Sequence, residues 1–120
     1  MPRNEEDTII RVKKINTKKW LGFEVVTTKQ NISLVIENIQ LCCEDWGAAC
    51  DHDAKFIGAI IKKVGWGRDV FDKRIKRTTA IIEIMTDMGK LELSVWNEHD
   101  GYYEHDVQAS WHNYQDTQSI

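Results

Sequence analysis

The chain is poor in proline, with one, poor in cysteine, with three, and has no long apolar run. One proline in 120 residues leaves no proline-rich linker and argues for a body with short connections. The cysteines are odd in number and Cys42 and Cys43 are adjacent, so no disulfide framework is expected, and reduced thiols in a reducing compartment are. No stretch approaches the roughly 18 apolar residues of a spanning helix. The opening MPRNEEDTII lacks a basic region leading into an apolar core, so neither a membrane segment nor a secretion signal is expected. Signatures of fixed spacing are missing as well. There is no C-x-x-C or H-E-x-x-H, and the GWG at 65–67 is not followed by the Lys-Ser/Thr and helix of a phosphate loop.

What is present is an ordinary globular composition, 42% hydrophobic and 29% charged, with five tryptophans. The length suits one domain. We expect it over residues 11–114, with flexible ends at 1–10 and 115–120. Residues 20–28 are rich in β-branched and aromatic side chains, and Ile32, Leu34 and Ile36 alternate on one face after a polar KQN turn. The apolar phase then shifts to Ile39, Leu41 and Cys43, which marks a bulge or a strand exit. A short helical turn from Asp53 and a strand at 59–64 follow, and Gly65 and Gly67 should interrupt regular structure. TTAIIEIMT, a DMGK turn and KLELSVWN read as a hairpin with Gly89 at a positive-φ position and Leu91, Leu93 and Val95 facing the core. A further turn, EHDG, leads to a strand from Tyr102 to Trp111 and completes a three-strand meander. The expected fold is mainly β, an antiparallel sheet or sandwich of five to seven strands with one or two short helices; an α+β arrangement is the alternative.

Charge is segregated although the net value is only −3. Residues 11–19 carry five Lys/Arg, residues 62–77 carry seven, and from Leu91 onward there are six acids and no Lys or Arg. Such asymmetry suits a phosphate-bearing or charge-complementary partner, or a set of solvated loops. The basic 68–77 segment beside Trp66 resembles, in composition, a single-strand nucleic-acid platform; tryptophans more often fill cores and interfaces.

Two clusters could carry chemistry. In NEHDGYYEHD, residues 97–106, His99 is expected in a turn. Strand alternation puts Tyr103, His105, Val107, Ala109 and Trp111 on an apolar face and Glu104 and Asp106 toward solvent. His105 then reads as a partly buried, hydrogen-bonded histidine. In CCEDWG, adjacent cysteines on a strand would point to opposite faces and pack as small buried hydrophobes. As an enzyme, Cys42 or Cys43 would be the nucleophile, His99 or His105 the base and Glu44 the orienter, although the neighbouring acids should raise a thiol pKa. As a metal site, Cys42, Cys50, His52, His99 and His105 are the weak candidates. No cofactor is expected.

NIQLCCEDWG, AKFIGAII and WNEHDGYYEHDV together resemble an uncharacterised small domain family of bacteriophages with relatives in large DNA viruses, over roughly residues 20–112. The matching positions are Asn38, Gln40, Cys42, Cys43, Glu44, Trp46, Gly47, Phe56, Ile57, Gly58, Asn97, His99, Gly101, Tyr102, Tyr103 and His105. The family brings no assigned reaction. The basic stretch Arg68 to Arg77 and the N-terminal extension depart from its pattern. The resemblance implies a viral protein in the cytoplasm of an infected cell, with the virion or the nucleus as alternatives. The leading expectation is a non-enzymatic accessory protein that acts by protein interaction as a homodimer or on a host or viral protein. A small Cys/Glu/His enzyme or metal domain and a nucleic-acid binder are the alternatives.

Overall fold

Threonine builds the tight turns that start most of the sheet. In a computed structural model describing residues 6–50 and 53–120, without the side chain of Asp53, strands β1 (Ile9–Asn16) and β2 (Trp20–Thr27) are joined across Thr17. The Thr17 hydroxyl accepts from the Trp20 amide at 2.9 Å. Strand β2 joins β3 (Asn31–Glu37) through Thr27, whose hydroxyl accepts from the Gln30 amide at 2.9 Å. Strands β7 (Arg77–Thr86) and β8 (Gly89–Glu98) meet at Thr86, whose hydroxyl accepts from the Met88 amide at 3.0 Å. A hydroxyl that satisfies an amide two or three residues on holds a turn without help from the rest of the fold. Gly89 has φ 116°, as the turn required.

The remaining elements are β4 (Asp45–Ala49), a 3₁₀ turn (Asp53–Phe56), β5 (Ile61–Trp66), β6 (Val70–Asp72), β9 (Asp106–Trp111) and β10 (Tyr114–Ser119). They form two antiparallel sheets, β1-β2-β3-β9-β10 and β4-β8-β7-β5, with β6 also paired to β7. The inward faces meet in one core. Val25, Leu34, Ile36, Val107 and Ala109 come from the first sheet, and Ala80, Ile82, Ile84, Leu91, Leu93 and Val95 from the second. The alternation read from the sequence places Leu34, Ile36, Leu91, Leu93, Val95, Val107 and Ala109 on the correct faces. No helix among the described residues is long and apolar enough to cross a membrane.

The mainly β reading holds, with corrections. Ten strands are described rather than five to seven, because β1, β4 and β10 were not read as strands and β6 lies in the basic stretch read as solvated loops. The segment expected to fray from residue 115 is strand β10 paired to β9, followed by a buried Ile120. Ile9, assigned to a flexible end, is buried and opens β1; residues 1–5 lie outside the described residues. Gly65 sits within β5 and does not break it. The expected meander does not form. Strand β8 has β7 on one edge and β4 on the other, so β9 has no free edge there and instead pairs with β3, Leu34 opposite Ala109. The chain from 99 to 105 thus crosses from one sheet to the other.

Candidate functional site

The crossing and the loop 38–44 meet at one end of the sandwich, where β3 and β8 end and β4, β7 and β9 begin. Strand β3 stops at Glu37, so Ile39 and Leu41 leave the sheet and are exposed. The loop then folds around the carboxylate of Glu44. That carboxylate accepts from the Leu41 amide at 2.9 Å, the Cys42 amide at 2.8 Å and Gln40 Nε2 at 3.0 Å. His105 Nε2 lies 2.5 Å from Glu44 Oε2, and His105 Nδ1 donates to the Glu37 carbonyl at 2.7 Å. The two side chains are 1% and 0% exposed.

The two ring nitrogens of His105 therefore face two oxygens, the Glu37 carbonyl and the Glu44 carboxylate, and neither nitrogen is left without a partner. Burial alone would raise the Glu44 pKa. The bonds from His105 and from the Cys42 and Leu41 amides outweigh it and lower the value from 4.5 to about 2. Trp46 covers this pair, its ring centroid 4.8 Å from that of His105, and its Nε1 donates to Asn38 Oδ1 at 3.1 Å. His105 thus ties the end of β3 to the residue before β4 and brackets the whole loop.

The second histidine does a different task. His99 Nδ1 accepts from the Gly101 amide at 2.9 Å and the Tyr103 amide at 3.3 Å, shaping a turn in which Gly101 has φ 101°. Asn97, fully buried at the end of β8, donates through Nδ2 to the Tyr103 carbonyl at 2.9 Å and to that of Ile120 at 3.1 Å. Its Oδ1 is buried with no partner. Asn97 fastens the crossing segment to both sheets.

The cysteines depart from expectation. Cys42 and Cys43 are exposed and lie on a bend rather than on a strand, so they do not point to opposite faces; their sulfurs are 2.8 Å apart. The hydrogen bond with Cys42, then burial and the charges of Cys42, Glu44 and Asp100, raise the Cys43 pKa. Contact with Cys42 likewise raises that of Tyr103. A cavity of about 220 Å³ opens beside them, lined by Cys43, Glu44, Lys76, His99 and Tyr103 among others. A second of about 460 Å³, lined by Phe71, Lys73, Lys76, His99 and Glu104 among others, shares the His99 turn.

Of the residues singled out from the sequence, the fold joins Glu44 to His105, Cys42 to Cys43, and Cys43, Glu44 and His99 around one cavity. Cys50, beyond the far end of β4, packs against the core away from them. His52 lies outside the described residues. No group of three or more His, Cys, Asp or Glu among the described residues could hold a metal ion. Lys76, Phe71 and Ile75 were read only as part of the basic 68–77 segment and not as the lining of a cavity. Ile75, an apolar residue inside KRIKR, was the available signal.

Cysteine chemistry needs a base in reach and a lowered thiol pKa. Here His105 is sealed against Glu44, His99 spends Nδ1 on backbone amides, and the Cys43 thiol is pushed up. Set against protein-family models, curated proteins and solved structures, the chain finds no match.

Proposed function

We propose that the protein is a non-enzymatic interaction module that self-associates through the end of the sandwich built on the His99 turn. In this reading Glu44, His105 and Asn97 hold loops in position and touch no substrate. The observation that carries it is the set of exposed apolar side chains at the two cavities. Ile75 lines the smaller and Phe71 the larger, and Tyr102 stands in the turn between Gly101 and Tyr103, which line them; Phe71 is 62% and Tyr102 84% exposed. Large exposed aromatics on a small surface are the usual anchors of protein interfaces.

The charges around them favour a second copy. Lys76 is paired with Asp100 at 2.7 Å and Arg77 with Glu98 at 2.5 Å, which leaves Lys73, Asp69 and Glu104 around the larger cavity without an ion pair among the described residues. A patch bearing unpaired charge of both signs around an apolar centre complements itself, which is what a two-fold interface requires. The same pairing weakens the nucleic-acid reading, because Arg74, Lys76 and Arg77 of the basic 68–77 segment are already neutralised, and Trp66 donates to the Tyr114 hydroxyl at 3.2 Å. The viral, accessory setting rests on the family resemblance.

Light scattering over a concentration series should give a mass near twice the chain's 14.0 kDa. Phe71→Asp should weaken the dimer by at least about thirtyfold while leaving the fold intact. A strict monomer at every concentration, or a dimer indifferent to Phe71→Asp, overturns the assignment.

A further inference from the structure

Hydrogen bonds and burial account for nearly every unusual residue at this end of the sandwich, but not for Cys42 and Cys43. Free cysteine is among the most buried of residue types, and Cys50 conforms, half-buried against the core. The adjacent pair is exposed instead. Its geometry is imposed from below. The Glu44 carboxylate holds the Cys42 amide at 2.8 Å and the Leu41 amide at 2.9 Å, and His105 holds Glu44, so the bend that brings the two sulfurs to 2.8 Å is anchored in the buried end of the core. Cys43 opens on the smaller cavity, of about 220 Å³, which has room for a small peroxide.

We infer that Cys42 and Cys43 are a two-electron redox site that reacts with hydroperoxides to form a reversible disulfide between neighbouring residues. One thiol attacks the peroxide, breaking the O–O bond to give a sulfenic acid and releasing water or an alcohol. The second sulfur then attacks the sulfenic sulfur, the S–S bond forms, and the hydroxyl leaves as water with the second thiol's proton. Each sulfur loses one electron and the peroxide gains two. Exposure and a resolving thiol in contact are two marks of such sites; because the Cys43 thiol pKa is raised, the reaction should gain rate as pH rises and the thiolate forms.

Adjacency also determines what kind of disulfide results. Consecutive Cα atoms lie about 3.8 Å apart, below the roughly 4.4 Å at which unstrained disulfides begin. The bond is therefore strained and easily reduced, as suits a switchable site rather than a structural one. This inference does not depend on self-association.

The test is mass spectrometry of the whole protein after treatment with one equivalent of hydrogen peroxide. The expected product is one chain lighter by two hydrogen atoms, with the change confined to the peptide containing Cys42 and Cys43, Cys50 still open to alkylation, and full reversal by dithiothreitol. In Cys42→Ser, Cys43, the thiol that lines the cavity, should stop at a sulfenic acid that dimedone traps. Sulfinic or sulfonic products on the wild-type pair, a disulfide between two chains, or oxidation of Cys50 at the same rate as the pair overturns it.

Discussion

Where the 3₁₀ turn Asp53–Phe56 closes one end of the sandwich, Phe56, Ala59 and Ile9 are buried and are fastened from backbone to backbone, Ile9 N to Ala59 O at 2.9 Å and Gly58 N to Ile9 O at 2.8 Å, while the side-chain bonds of Asp7 and Asp87 stay at the rim. At the opposite end Glu44, His105 and Asn97 are buried beside Ile120, and most fastenings run from side chain to backbone. Apolar closure is non-directional and needs only volume. Polar closure is directional, so it positions the loops that leave it and makes them sensitive to protonation. The thiol pair and the two cavities around the His99 turn sit at the polar end.

The largest expected effects come from truncating one anchor at each end. Phe56→Ala should cost about 3–5 kcal/mol through the cavity it leaves, and the loss should be the same at neutral and acid pH. Glu44→Ala should cost about 3–5 kcal/mol at neutral pH by stranding His105, and this loss should shrink in acid. Urea midpoints measured across pH separate the two; parallel profiles would erase the contrast between the ends.

Next in size is the acid response of the unaltered protein. The folded Glu44 pKa, about 2, lies below the ordinary 4.5. Its stabilising contribution is therefore present above 4.5 and is lost as pH falls through about 2. A shift of this size corresponds to roughly 3 kcal/mol. Urea titrations over that window should show the loss in the wild type and a flatter profile in Glu44→Gln.

The smallest effect sharpens the comparison by reversing its sign. Asn97→Asp keeps the shape but turns a carboxylate toward the Tyr103 and Ile120 carbonyls that Asn97 now donates to. It should cost about 2 kcal/mol at neutral pH, and part of that should return on acidification toward 4.5, where a protonated acid again donates and Glu44 is still ionised. Thermal unfolding of the variant and wild type at matched pH reads the difference; a variant that is no more stable in mild acid would remove Asn97 from the polar closure.

Much of the local structure was legible in the chain. The β7–β8 hairpin followed from DMGK and strict alternation, and His105 was assigned to the apolar face because Val107 and Ala109 share its parity. Glu44 was read beside His105 only as the orienter in a Cys/His/Glu site. That the two form one sealed pair was not legible, because they meet across 61 residues and nothing local records the contact. The cysteines were misjudged because strand alternation was carried past Glu37, where the strand ends.

By itself the sequence determined which residues share a face and where the chain turns, because alternation, threonine hydroxyls and glycine act over a few residues. Only the tertiary structure decided that β9 leaves β8 for β3, since that depended on which strand edges were already taken. It also decided that Glu44 and His105 are one buried pair and that two neighbouring thiols stand exposed above it. Those outcomes rest on directional bonds between segments far apart in the chain, which no local pattern records.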